Sequence, residues 1–282
     1  MLTIDEEPIF LLGTGRCGST LQQSVLSGID DVWIWGEHNG VIGKLMAWGE
    51  AVKSDHRLRE FSYSQSNENI STIMSSSPTN DALPVAWLNY FRPTDIDEQL
   101  RLIISNIFKL GLPSGKRRWG FKEIRYGRED KTAESLLNVF PKAKILYTVR
   151  DPFKTCESSI YSWHYQPIIK FVQGGNKDEI SQLYTHYMNR WISSAKYFAR
   201  LKQERPECVY ISRIEAFWDN LESILDFLNI NKSSYMVEKN HYVINSSANR
   251  ARSDTVATLM KALHEQRRKE IVEVARIVGY EL

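Results

Sequence analysis

"PIFLLGTGRCGSTLQQSVL", residues 8–26, decides the fold. Pro8 is followed by four apolar residues in a row, Ile9 to Leu12, the pattern of a short strand buried on both faces. Gly13, Gly15 and Gly18 come next, and the segment from Ser19 onward has helical spacing. A strand, a glycine-rich turn and a helix in that order offer an anion free backbone N–H groups and the positive end of a dipole. Gly13 and Gly18 keep the spacing of the nucleotide-hydrolysing loop GxxxxGK[ST], but Ser19 stands where that loop has its lysine. The cation here is Arg16, earlier in the turn, and Ser19 and Thr20 add hydroxyls.

Further along, "RWGFKEI" (118–124), "AKILYTV" (143–149) and "ECVYIS" (207–212) repeat the buried-strand pattern. Helical segments lie between them at 18–28, 38–53, 95–110, 129–139, 153–165, 178–202 and 214–229, with a last long helix over about 254–278. This alternation predicts an α/β fold, a parallel sheet flanked by helices on both faces in three layers, of P-loop type. Residues 60–84 break the rhythm with a run of serines and little periodicity, which predicts a lid or inserted loop within a single domain spanning 1–282.

Composition narrows the function classes. With 282 residues and 42% hydrophobic content, a sizeable core is affordable, and a net charge of +2 gives no global field for nucleic acid. Cys17, Cys156 and Cys208 are far apart and odd in number, against a disulfide framework or a structural zinc site. No signal peptide or membrane span is legible, so a cytoplasmic location is expected. A serine-hydrolase elbow GxSxG is missing, and Gln23 occupies the position where a cysteine-phosphatase loop would need arginine.

A second anion site is legible in "ILYTVRDPFKTCESSIYSW" (145–163). Arg150 falls at the carboxyl end of a predicted strand, where its planar fork can grip a phosphate, and Ser158 follows on the next helix. Asp151 there also fits the magnesium-positioning acid of an ATP-dependent kinase, a reading that needs the missing loop lysine as well.

Together these segments resemble the sulfotransferases that use 3′-phosphoadenosine 5′-phosphosulfate (PAPS). "GTGRCGSTL" is similar to their 5′-phosphosulfate loop, with Gly15 where proline is usual and Cys17 where serine is usual. Arg150 and Ser158 match the spacing of their 3′-phosphate motif, and "RIEAFWDNLESILDFLNI" (213–230) is similar to a strand-to-helix stretch of the family. The resemblance implies that Gly15, Arg16, Cys17, Gly18, Ser19 and Thr20 hold the phosphosulfate. It assigns the 3′-phosphate to Arg150 and Ser158, with Arg250 and Arg252 closing over it. It also implies that Lys122 stabilises the bridging oxygen and that adenosine 3′,5′-bisphosphate is the product, with no metal.

In "VWIWGEHNG" (32–40), Glu37 matches the general base of tyrosylprotein sulfotransferases and certain bacterial relatives, and His38 is its competitor. Lys116, Arg117, Arg118, Arg125 and Arg128 around Lys122 form either a solvated rim or a contact for an anionic acceptor. The acceptor is expected to be a small molecule, a saccharide or a peptide. A small-molecule kinase and a non-catalytic nucleotide- or polyanion-binding module stay open as alternatives.

Overall fold

Strand β1 (Ile9–Gly13) is the axis of the sheet, and each of its residues is buried. The structure, a computed structural model, describes residues 6–62, 89–127, 130–231 and 253–281. Strands β2 (Val32–Trp35), β3 (Arg118–Glu123), β4 (Lys144–Val149) and β5 (Val209–Arg213) join β1 in the order β2-β3-β1-β4-β5. All neighbours run parallel, with Phe10 opposite Phe121 on one side and Ile145 on the other.

The helices in chain order are α1 (Ser19–Ser27), α2 (Val41–Ser54), α3 (His56–Glu60), α4 (Pro93–Lys109), α5 (Thr132–Val139) and α6 (Pro152–Trp163). They continue with α7 (Tyr165–Val172), α8 (Asp178–Glu204), α9 (Leu221–Phe227), α10 (Asp254–Gln266) and α11 (Arg268–Ile277). The period-two alternation of β1 separates the layers. Phe10 and Leu12 pack with α2, α4, α5, α6 and α8, whereas Ile9 and Leu11 pack with α1 and α9. Each such fully buried side chain contributes about 1.5–3 kcal/mol. The result is the three-layer, P-loop-type α/β architecture.

The structure differs from the sequence reading in several details, among them α3 and α7, which the reading did not include. β2 went unread because it is a four-residue edge strand whose Trp33 and Trp35 are only half-buried, which breaks the continuous apolar signature. The segment expected as one helix over 254–278 is two, because the backbone of Arg267 leaves helical geometry between α10 and α11. The segment 214–229 opens as a 3₁₀ turn, Ile214–Ala216, and becomes helical only at Leu221. The expected lid falls, from residue 63 onward, outside the described residues, as do Arg128, Arg250 and Arg252.

From β1 the chain goes to one side of the sheet for β2 and β3, then crosses to the other for β4 and β5. Ligands of open α/β sheets bind beyond the carboxyl ends of strands at such a switch point. The loop after β1 lies there.

Candidate active site

The loop reaches α1 through two left-handed residues, Arg16 (φ 66°) and Gly18 (φ 90°). Gly18 caps α1 without any side-chain hydrogen bond, and of the first-turn N–H groups that of Leu21 turns back to the Gly18 carbonyl at 3.0 Å while that of Ser19 meets the Cys17 thiol. Positive φ on an arginine is strained backbone, retained where the surroundings over-determine it. Those surroundings come from the second motif. Arg16 Nε donates to Ser158 Oγ at 3.1 Å, and an Arg150 guanidinium N–H donates to the Arg16 carbonyl at 3.3 Å. The fold thus brings residues 16, 150 and 158 together across a long sequence separation.

Beneath the loop, Gln22 of α1 links two strands. Thr148 Oγ1 of β4 donates to its Oε1 at 2.6 Å, and its Nε2 donates to Ser212 Oγ of β5 at 2.7 Å. All three side chains are buried. Cys17 is also buried, its thiol raised in pKa by desolvation, against hydrogen bonds from Ser19 that pull the other way. The expectation that Cys17 holds the ligand therefore narrows to its backbone. Gly15 lies under the Trp163 indole, and a Cβ there would meet Cη2 at 2.2 Å.

At the end of β3, Lys122 donates to Thr20 Oγ1 at 3.3 Å and pairs with Glu37 Oε1 at 2.8 Å. Arg125 holds the other Glu37 oxygen at 3.1 Å. His38 points elsewhere. Its ring packs edge-on to Phe121 with centroids 4.7 Å apart, and its Nε2 is 2.6 Å from Tyr126 Oη. Burial lowers its pKa, although nearby Glu123 acts to raise it.

Arg16, Gly18, Ser19, Thr20, Glu37, Lys122 and Arg150 line one cleft of about 630 Å³. Lys154, Trp163 and Glu215 line it too and were not singled out from the sequence. The signal for Lys154 was its place one turn beyond Arg150; nothing local marks the other two. A second cleft of about 590 Å³ is bordered by Gly13 and Thr14 of the same loop and shares Ile124 and Arg125 with the first. Asn189, Arg190 and Ser193 of α8 form part of its wall. Among the described residues no group of His, Cys, Asp and Glu side chains gathers as a metal site. No described helix is long and apolar enough to cross a membrane.

Sheet, switch point and lysine-free loop define a P-loop-type α/β protein with a candidate anion site at the end of its central strand. The chain belongs to the sulfotransferase family: the model described as "Sulfotransferase family" matches residues 8–232. It is similar in structure to the sulfotransferase domain from the curacin biosynthetic pathway, at TM-score 0.55 and 17% identity, covering 98% of this chain and 99% of that one. It is also similar to the sulfotransferase domain of the olefin synthase from Synechococcus PCC 7002, at TM-score 0.51 and 16% identity, covering 98% and 97%. At these identities the likeness carries the fold. No curated protein sequence matches the chain.

Proposed function

We propose that the protein transfers a sulfuryl group from PAPS to a hydroxyl or amine, with Glu37 as general base. The observation that carries this reading is the convergence of Arg16, Arg150, Lys122 and Glu37 on one cleft at the carboxyl ends of the strands. The residues fit the donor: a glycine-capped helix N-terminus, with no side chain across it and Arg16 beside it, suits the phosphosulfate. Arg150 suits the 3′-phosphate, since a guanidinium has five N–H donors and one bond to a carbonyl leaves capacity for a phosphate. In transfer, the bond from sulfur to the bridging oxygen breaks as the acceptor oxygen or nitrogen bonds to sulfur. Lys122 and Arg16 stabilise charge developing on the leaving phosphate, and Glu37 takes the acceptor's proton. Adenosine 3′,5′-bisphosphate departs.

The acceptor is a polar molecule, and what supports this is the second cleft, with Asn189, Arg190 and Ser193 in its wall and a shared edge at Ile124 and Arg125. A saccharide, a small polyol or a peptide has the hydrogen-bonding groups to match it.

Thermal shift tests the donor. Adenosine 3′,5′-bisphosphate without magnesium should stabilise the protein, by about 2.7 kcal/mol at 100 times its dissociation constant. Stronger stabilisation by Mg·ATP would overturn the reading in favour of a kinase.

A further inference from the structure

Glu123, the last residue of β3, is fully buried, and the transfer step above gives it no task. A buried carboxylate needs compensation for lost hydration. Here the Gly40 N–H donates to its Oε2 at 2.8 Å, the His38 N–H to the same oxygen at 3.3 Å, and the Ile124 N–H to its Oε1 at 2.9 Å. Arg125 completes the set at 2.6 Å. Burial pushes the Glu123 pKa up, but the Gly40 N–H, Arg125 and the Ile124 N–H outweigh it and hold the group below the usual carboxylate range. Glu123 therefore stays ionised, and it is tied at once to the backbone just after residue 37 and to Arg125.

The same Arg125 nitrogen reaches Glu37 Oε2. We infer that Glu123 and Arg125 are positioning residues that aim the Glu37 carboxylate, the buried anion fixing both the backbone beside residue 37 and the guanidinium that grips its side chain. The inference rests on Glu37 acting as the base. Its reason lies in the other tether. Lys122 holds Glu37 Oε1 in this structure, yet Lys122 is the amine the leaving phosphate requires. Once the donor recruits it, the contact from Arg125 is what keeps Glu37 from swinging free. A base displaced by about 1 Å loses on the order of a hundredfold in rate.

The test is a double-mutant cycle on PAPS consumption, with phenol as probe acceptor and water in its absence. Arg125 is 41% exposed, and without it Glu123 keeps the Gly40, His38 and Ile124 N–H donors, so Arg125→Ala should fold at some cost in stability, and Arg125→Lys keeps the charge. It should lower kcat about 10- to 100-fold while the affinity for adenosine 3′,5′-bisphosphate stays unchanged, and Arg125→Lys should restore part of the loss. On a Glu37→Gln background, Arg125→Ala should cost nothing further, because the group it aims is already gone. Glu123→Gln should follow the same non-additive pattern. Losses that multiply, or a loss confined to the KM for phenol, would overturn the positioning role while leaving the base assignment standing. Full turnover by Glu37→Gln would instead overturn the base assignment, and the positioning role with it.

Discussion

At Gly15 a single hydrogen atom is what lets the Trp163 indole cover the loop. Sulfotransferase loops usually have proline at this place, and a ring there would occupy the space the indole fills, since even a Cβ would sit 2.2 Å from it. Gly15 and Trp163 are thus one choice made at two positions. Gly15→Ala should cost about 1–3 kcal/mol by overpacking and should displace the indole from the cleft wall. In a Trp163→Ala background the same substitution should be nearly free. Urea unfolding of the four proteins reads this directly, and an equal cost in both backgrounds would show that the indole is not what forbids a side chain. Glu37 and His38 show the same economy at neighbouring positions. The turn after β2 sends one side chain to Lys122 in the cleft and the other to Tyr126 and an aromatic cluster.

At the scale of elements, α1 is fastened to the sheet by the Gln22 bridge as well as by apolar packing. Gln22→Leu keeps the volume but strands the Thr148 and Ser212 hydroxyls in the core. Each buried hydroxyl left without a partner costs about 1–3 kcal/mol, so unfolding should become easier by roughly that amount or twice it, as read by urea denaturation. A change of a few tenths would mean that the hydroxyls find other partners. Such a bridge is invisible in sequence, because its three members lie on three elements whose juxtaposition only the topology decides. What was legible there is what is local: the apolar run of β1, the glycine spacing after it, and the arginine ending β4 each announce their geometry within a few residues. The place of Glu37 opposite Lys122 was legible only through family resemblance. Trp163, Glu215 and the Glu123–Arg125 pair carry no local signature, and β2 was too short and too half-exposed to register.

At the scale of the whole molecule, three histidines among the described residues share one arrangement, each ring nitrogen set against a tyrosine hydroxyl. The pairs are His38 with Tyr126 at 2.6 Å, His164 with Tyr187 at 2.6 Å, and His264 with Tyr184 at 2.9 Å. A hydroxyl satisfies a neutral imidazole but does not neutralise an imidazolium. Tyr126 shows the geometry most clearly: its oxygen accepts the Gly43 N–H, and its proton can be donated to His38 Nε2 while the imidazole is neutral. Burial is the leading cause that lowers the pKa of all three histidines. For each, the folded value lies below the unfolded value of about 6.5, so between the two the unfolded chain binds more protons and stability falls as pH falls. Glu123 acts later in the acid range. Its depressed folded pKa keeps its contribution intact above about pH 4.3, and that contribution is lost as pH drops through the folded value. The melting temperature should therefore decline in two stages, the first setting in as pH falls through about 6.5, from the histidines. Calorimetry of the wild type and of His38→Gln, His164→Gln and His264→Gln would resolve it, each substitution flattening part of the first stage. A melting temperature that holds level or rises as pH falls through that value would show that the hydroxyls tolerate imidazolium after all.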